Sequence, residues 1–423
     1  MGDRYKPETI EQVAEIVTWA AAEKVPVEVV GRGSKAALGR PAQTEYSLEL
    51  SGLTGITLYE PDELVLSARA GTSMAEIEAA LDEHDQYLAF EPADYDALLN
   101  GRPKDEAAAS GSLAGVISCN LAGPRRIKSG AARDHFLGLK GVTGRGEIIQ
   151  AGGRVVKNVT GYDLMKLHAG AYGTLSALTD ITVKVLPAPE KTRSVLLFGL
   201  EDAAAVAAMT QAMGSSHEVS AAAHLPSGIA KDFDSSFFPN DARSVTAIRV
   251  EGPGPSVSHR CAALRSELGG QTDSDELHSH NSTPLWRYIR DVVPFVSDVS
   301  AEAGDGNAVW RVSVPPARGA DYVAALKLKL GEATEALRYY FDWSGGLIWV
   351  SLPEGEDAQQ HAVRESMADF GGHATLIKAT AELRGRIPVF QPLDLGIAAL
   401  SSRVKHSFDP HGIMNPGRMY AGV

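Results

Sequence analysis

Cysteine is nearly absent: the 423-residue chain holds two, Cys119 and Cys261, far apart and without metal-ligand spacing. Two thiols cannot ligate an iron–sulfur cluster, and reduced thiols in a cytoplasmic protein are expected. Long apolar runs are missing too. No stretch of about 18 uninterrupted apolar residues occurs, so no bilayer-spanning helix is expected. The segment Met1-Gly2-Asp3-Arg4-Tyr5-Lys6 is polar and charged, so no secretory signal is expected. Basic charge is in deficit: 40 Lys and Arg against 53 Asp and Glu leave a formal charge of −13. Such a balance argues against non-specific affinity for nucleic acid or an anionic membrane. The 44% hydrophobic and 22% charged fractions are those of a globular protein, and at roughly 150 residues per domain the length gives about two or three domains.

Glycine is what the chain has in excess. There are 42, about one residue in ten, against a usual ~7%. Their placement follows a legible order of elements. Thr9 to Gln12 fits a capping box, and Ile10, Val13, Val17 and Ala20 recur at helical spacing to about Lys24. A strand over Val25 to Val30 runs into the loop Gly31-Arg32-Gly33-Ser34-Lys35. Strands follow over Tyr46 to Leu50 and Leu64 to Ala70. Gly71-Thr72 then caps a helix with Met74, Ile77 and Leu81 on its inner face. Asn100 to Ser110 reads as a surface insertion. Gly111 to Asn120 reads as a turn into a short helix of small residues, and Leu137 to Val142 and Glu147 to Ala151 as a hairpin. After a strand over Leu178 to Leu186, Pro187-Ala188-Pro189 marks a change of texture. Beyond it strands and helices alternate as an α+β meander of ferredoxin-like type, with only a vague similarity between its halves. Leu337 to Phe341 and Leu347 to Leu352 are expected to pair across Ser344-Gly345-Gly346. A helix over Ala398 to His406 and the run 409–418 close the chain.

A glycine-rich loop straight after a strand lets backbone amides approach an anion closely, since no Cβ intervenes. Gly31 to Lys35 offers consecutive amides, a hydroxyl and two cations, a cradle for a pyrophosphate. It is neither a G-x-x-x-x-G-K-[ST] loop nor a G-x-G-x-x-G fingerprint, because Ala36 stands where the third glycine would be. Gly111, Gly115, Gly123, Gly130 and Gly138 punctuate a second stretch. Two such segments favour a flat, extended cofactor over close helix–strand packing.

Taken together, several motifs carry a family resemblance. Gly31 to Lys35, Gly111 to Asn120, Val159-Thr160-Gly161-Tyr162-Asp163 with Gly170-Ala171-Tyr172-Gly173-Thr174-Leu175, and the tail Asp409-Pro410-His411-Gly412-Ile413-Met414-Asn415-Pro416-Gly417-Arg418 are similar to the p-cresol methylhydroxylase (PCMH)/vanillyl-alcohol oxidase flavoproteins. Gly123-Pro124-Arg125-Arg126 and the run 152–163 resemble, more closely, the FAD-binding E subunits of bacterial glycolate oxidases. The resemblance implies an α+β fold: a PCMH-type two-subdomain FAD-binding domain over 1–189, an α+β ferredoxin-like cap over 190–384, and a C-terminal segment, 385–423, returning to the flavin domain. It implies FAD as cofactor, with the pyrophosphate on Gly31, Arg32, Gly33, Ser34 and Lys35. Gly111, Ser112, Gly115 and Ser118 would line the ribityl and ring side, and Asn120, Arg133, Asp134 and Gly173 complete the implied set. Ser34 and Lys35 stand where some members attach the flavin through a histidine, so a non-covalent flavin is implied. The implied activity is oxidation of a small 2-hydroxy acid, with a paralogous FAD subunit and an iron–sulfur subunit as partners. Any inner-membrane contact would be peripheral, through those partners.

The chain departs from that pattern in one place. Many 2-hydroxy-acid enzymes of this fold carry a metal-binding histidine in a cap-domain turn, and the matching turn here, Asp342-Trp343-Ser344-Gly345-Gly346-Leu347-Ile348-Trp349, has none. No metal site and no catalytic base are therefore assigned, and a scaffold subunit that stabilises a catalytic paralogue is the alternative. A stand-alone reductase acting on nucleotide sugars is disfavoured by the glycolate-oxidase-like motifs. Arg125-Arg126 is open to three readings: a carboxylate fork, a diphosphate contact or a subunit surface. His278-Ser279-His280 reads as a solvated loop, His168 as a packed histidine, and Trp343 and Trp349 as core or interface aromatics.

Overall fold

The computed structural model describes residues 3–101, 111–154, 161–233, 238, 243–296 and 306–422. Most of the insertion expected at 100–110, and residues 155–160 of the motif at 152–163, lie outside the described residues. Contacts divide the chain into two units. The first comprises Met1–Ala122, Gly130–Ala188 and Pro392–Val423; the second comprises Gly123–Ser129 and Pro189–Gln391.

In the first unit the helix Ile10–Glu23 is capped as its sequence indicates. Thr9 Oγ1 accepts from the Gln12 amide, and Gln12 Oε1 accepts from the Glu8 amide rather than from Thr9 itself. Val13, Val17 and Ala20 lose all exposure, and each large apolar side chain so buried contributes about 1.5–3 kcal/mol. Lys24 ends the helix in the left-handed region. Strands β1 (Arg4–Tyr5), β2 (Val27–Val30) and β3 (Tyr46–Glu49) form a parallel sheet of order β1-β3-β2. Strands β4 (Ile56–Glu60), β5 (Val65–Arg69), β7 (Phe136–Thr143), β8 (Ile148–Gly152) and β9 (Ser176–Lys184) form an antiparallel sheet of order β4-β5-β9-β7-β8. The short strands β6 (Gln86–Tyr87) and β10 (Leu186–Pro187) pair separately. The helix Met74–Asp82 is capped by Ser73, whose Oγ accepts from the Glu76 amide, rather than by Gly71-Thr72. Thr72 is engaged elsewhere, accepting from the Gly55 amide.

The second unit is more regular than its sequence suggests. Strands β11 (Lys191–Phe198), β12 (Val219–Leu225), β13 (Val245–Gly252) and β14 (Ser274–Leu277), with helices Asp202–Gly214 and Gly254–Leu268, make a βαββαβ module of order β14-β11-β13-β12. Strands β15 (Asn307–Ser313), β16 (Arg338–Asp342), β17 (Leu347–Pro353) and β18 (His373–Lys378), with helices Gly319–Leu330 and Gln360–Glu365, repeat it in the order β18-β15-β17-β16. These are two ferredoxin-like modules, joined edge to edge where His224 of β12 faces Phe341 of β16. One apolar core runs through both, including Val195, Ile248, Val257, Trp310, Tyr322 and Ile348.

Strands β14, β15 and β18 and the helix Ser279–Arg290 are additions to the expected pattern. The helix corrects the solvated-loop reading of His278 to His280. Ser, His, Asn and Pro284 mask its period, yet Leu285, Trp286 and Ile289 form a buried stripe. Ser282, on the same stripe, hydrogen-bonds Ser194 of β11, and Trp286 Nε1 donates to that Ser194 hydroxyl.

Gly123–Ser129 groups with the second unit because its contacts lie there. Trp343 Nε1 donates to the Gly123 carbonyl at 3.0 Å. Arg125 forks the Glu251 carboxylate at 2.9 and 2.6 Å, with Arg249 Nε 3.7 Å from the same group. Among the three readings of Arg125, the fork is therefore filled by a carboxylate of the chain itself. Burial alone would raise the pKa of Glu251, but Arg249 and Arg125 reverse this and hold its carboxyl well below its ordinary 4.5. Since the folded-state pKa lies below the unfolded one, this cluster stabilises above about pH 4.5 and loses its contribution as pH falls further. Glu251→Gln should cost about 3–5 kcal/mol at neutral pH, as uncompensated buried guanidinium charge does. In thermal melts across pH, the variant should lose less stability than the wild type on acidification.

Candidate functional site: a glycine-walled cleft

Strand β2 ends at Val30, and the chain turns through Gly31 to Ala36. Gly33 adopts φ +83°, a conformation that side chains other than glycine adopt only under strain. A Cβ on Gly31 would collide with Ser112 Oγ, and one on Gly111 would collide with Lys35 Nζ and lie 2.8 Å from Ser34 Oγ. The two glycine segments seen in the sequence therefore face each other, 80 residues apart along the chain, with no room for a methyl group between them. Ser112 Oγ accepts from the Gly115 amide and caps the helix Leu113–Ser118. The turn before it is pinned by Met74 N to Gly111 O at 2.8 Å and Leu113 N to Thr72 O at 3.1 Å.

Between these segments opens a cleft. Gly31, Arg32, Gly33, Ser34, Lys35, Ser112, Gly115, Ser118 and Gly173 line it, while Gly111 supports Lys35 from behind. Asn120, Arg133 and Asp134 do not reach it. They build a neighbouring turn, in which Asn120 Oδ1 accepts from the Arg133 amide and Asp134 Oδ2 from the Ala131 amide. Lys35 Nζ donates to Ser34 Oγ at 3.1 Å. Burial lowers its pKa, with Cys119, Asp94 and Asp96 opposing the shift. Burial likewise pushes the Cys119 thiol up to about 11, against the pull of Lys35 and Arg418, so this thiol is no nucleophile at neutral pH.

The cleft has lining residues that the sequence reading passed over as such: Cys119, Tyr172, Ser176, Asn415 and Arg418. Asn415 and Arg418 belong to the C-terminal motif, legible as a family mark but not as part of a wall. Asn415 Oδ1 accepts from the Val29 amide at 2.7 Å, and its Nδ2 donates to Tyr172 O at 2.7 Å. Arg418 donates to Ala36 O at 2.7 Å and Lys35 O at 3.3 Å, and pairs with Glu28 at 3.2 Å. The tail is itself anchored by Lys405, whose Nζ donates to Asp409, Thr174 O and Met414 O at 2.6–2.7 Å. His168 is buried, hydrogen-bonded to Leu164 O at 2.8 Å and edge-on to Phe408.

Closely apposed glycine backbones, a buried hydroxyl and a half-buried lysine suit a diphosphate and a flat extension of it, so the residues fit a dinucleotide such as FAD. Residues 4–152 match the FAD binding domain family, and residues 395–419 match the C-terminal domain of FAD linked oxidases. Among solved structures, 4-ethylphenol oxidase from Gulosibacter chungangensis superposes with a TM-score of 0.71 at 14% identity, covering 99% of this chain and 89% of that one. An alkyldihydroxyacetonephosphate synthase gives 0.69 at 16% identity, covering 98% and 75%. The fold and the cleft thus define an FAD-dependent flavoprotein of the PCMH type. Glycolate oxidase subunit GlcE of Escherichia coli is 34% identical over 97% of both chains. Glycolate oxidase subunit GlcD of Bacillus subtilis is 22% identical over 98% of this chain and 88% of that one. This chain belongs to the GlcE family of FAD-binding oxidoreductase subunits.

Two substitutions test the cleft. Gly31→Ala should weaken FAD binding about tenfold or more, because the methyl displaces Ser112 from the wall. Asn415→Ala should cost about 1–3 kcal/mol through the unpaired Val29 amide and Tyr172 carbonyl, and should lower FAD occupancy as well. The flavin-to-protein absorbance ratio after dialysis and the melting temperature measure both.

Proposed function

We propose that the chain is the FAD-binding subunit of a glycolate-oxidising assembly acting on a small 2-hydroxy acid, with a paralogous FAD subunit and an iron–sulfur protein as partners. The observation that carries this reading is the 34% identity to a glycolate oxidase subunit across 97% of both chains. The second relative, GlcD, bears the name of another subunit of such an oxidase, and a D-2-hydroxyglutarate dehydrogenase of Stutzerimonas stutzeri is 23% identical over 98% of this chain.

In the Mechanism so proposed, the chain's residues bind and orient. The amides of Gly31 to Lys35 and the Ser34 hydroxyl would hold the diphosphate, and the Lys35 ammonium would offset its charge. An anion placed beside Lys35 favours its protonated form, against the burial that lowers its pKa. Arg418 holds the Lys35 and Ala36 carbonyls, so the loop is set before the cofactor arrives and little ordering cost falls on binding. Bound FAD supplies a two-electron acceptor for the carbon-bound hydrogen of the acid. Ser34 and Lys35 offer no ring nitrogen for a covalent link, in keeping with a flavin that dissociates intact.

A second reading, a scaffold subunit that binds FAD but leaves oxidation to its paralogue, is favoured by the turn Asp342 to Trp349, which contains no histidine. One experiment separates them. The purified chain is expected to be yellow, to release its flavin on denaturation, and to bleach when glycolate or D-lactate is added without oxygen. A colourless chain refutes the flavoprotein reading. A yellow chain that neither acid bleaches supports the scaffold. Co-purification of an iron–sulfur protein with the tagged chain from its native host tests the assembly.

A further inference from the structure

Two guanidinium groups stand over one ring in the second unit, and an imidazole senses both. The Arg126 guanidinium carbon lies 4.2 Å from the centroid of the Trp343 ring, and that of Arg311 lies 5.0 Å away. His373, at the start of β18, senses both: desolvation lowers its pKa first, and Arg311 and Arg126 lower it further. The ring itself is rigidly set. Trp343 is 4% exposed, its Nε1 donates to the Gly123 carbonyl, and its amide donates to Asp342 Oδ1 at 2.7 Å.

Arg311 is the notable member. It stands in the middle of β15, opposite Trp349 of β17 and Thr375 of β18, and it is half-buried. Other arginines of this unit are paired: Arg125 with Glu251, Arg193 with Glu276, and Arg290 with Asp291. Among the described residues no carboxylate pairs with Arg311 and no oxygen accepts from it; the Trp343 ring is its contact. A guanidinium presents five donors in a planar fork matched to a carboxylate. The ring's attraction acts on the face of the guanidinium and leaves those donors unused. Two positive charges over one ring favour an anion nearby, and the same field disfavours a metal cation there.

We propose that Arg311, which shares the Trp343 ring with Arg126, forms a binding site for a small carboxylate anion on the sheet of the second unit. The site is the carboxylate-recognition element of the function proposed above. It rests on that reading for the identity of the acid, a 2-hydroxy acid, and not for the presence of the site.

Isothermal titration of oxalate, a dicarboxylate with no hydrogen to lose, into the full chain tests it. Arg311→Gln should weaken oxalate about tenfold or more, as loss of a charge-assisted fork does. Arg311→Lys should recover part of the affinity through charge without the fork, and Trp343→Phe should remove a change in tryptophan emission on binding. Because Arg311 makes no hydrogen bond and loses only its ring contact, its variants should fold and melt close to the wild type. Unchanged oxalate affinity in Arg311→Gln overturns the site, and so does sulfate bound as tightly as oxalate. If glycolate fails to bleach the flavin while Arg311-dependent oxalate binding persists, the functional reading falls and the site stands.

Discussion

The cofactor cleft depends on one reach across the chain: Asn415 bonds Val29, 386 residues away in sequence. Without it the glycine loop after β2 would be a stretch of backbone with many available conformations. With it, Asn415 fixes the strand before the loop and Arg418 fixes the carbonyls after Lys35. Gly173 completes the arrangement, since its φ of +71° and missing side chain let Asn415 reach the Tyr172 carbonyl. The tail can do this because it is buttressed in turn. The Lys405 ammonium is buried, and burial lowers its pKa, but Asp409 opposes the shift and three oxygens accept from the group. A buried charge so fully partnered holds its surroundings in one geometry.

The second unit follows a different logic. Its two βαββαβ modules share one apolar core, and their polar groups are confined to particular places. At the junction, Asp202 accepts from the Tyr339 hydroxyl at 2.7 Å, with His224 and Lys327 each 3.6 Å away. Burial would raise the pKa of Asp202, yet these neighbours lower it. On the sheet, Glu251 gathers Arg125 and Arg249, and Arg249 also stacks at 4.5 Å on Trp286. Several arginines of this unit are neutralised by carboxylates of the chain, whereas Arg311 meets an aromatic face.

Much of the architecture was legible because it is local. Helix Ile10–Glu23 announces itself through Thr9, Gln12 and the spacing of Val13 and Val17, and the β7–β8 hairpin through Thr143 to Gly146. The α+β class and the FAD-binding family were legible in the resemblance carried by several ordered motifs, and the glycine positions marked the two segments that wall the cleft. What escaped was non-periodic or non-local. The helix Ser279–Arg290 hides behind serine, histidine and proline, since its stripe is completed by Ser282, a polar residue buried only because Ser194 meets it. The repeat between β11–β14 and β15–β18 was faint, because ferredoxin-like modules are defined by strand pairing and share no required residues.

The amino-acid sequence by itself determined that bare backbone stands at Gly31 to Lys35 and at Gly111 to Ser118, the segments that face each other across the cleft. A missing Cβ is a property of the residue, visible before any folding. Tertiary structure alone decided that Asn120, Arg133 and Asp134 stand aside from the cleft and that Asn415 and Arg418 form its wall. It also decided that Arg125 is spent on Glu251 while Arg311 is not. Such outcomes depend on which strands pair and which charges are brought together, and spacing along the chain carries no record of partners that lie hundreds of residues away.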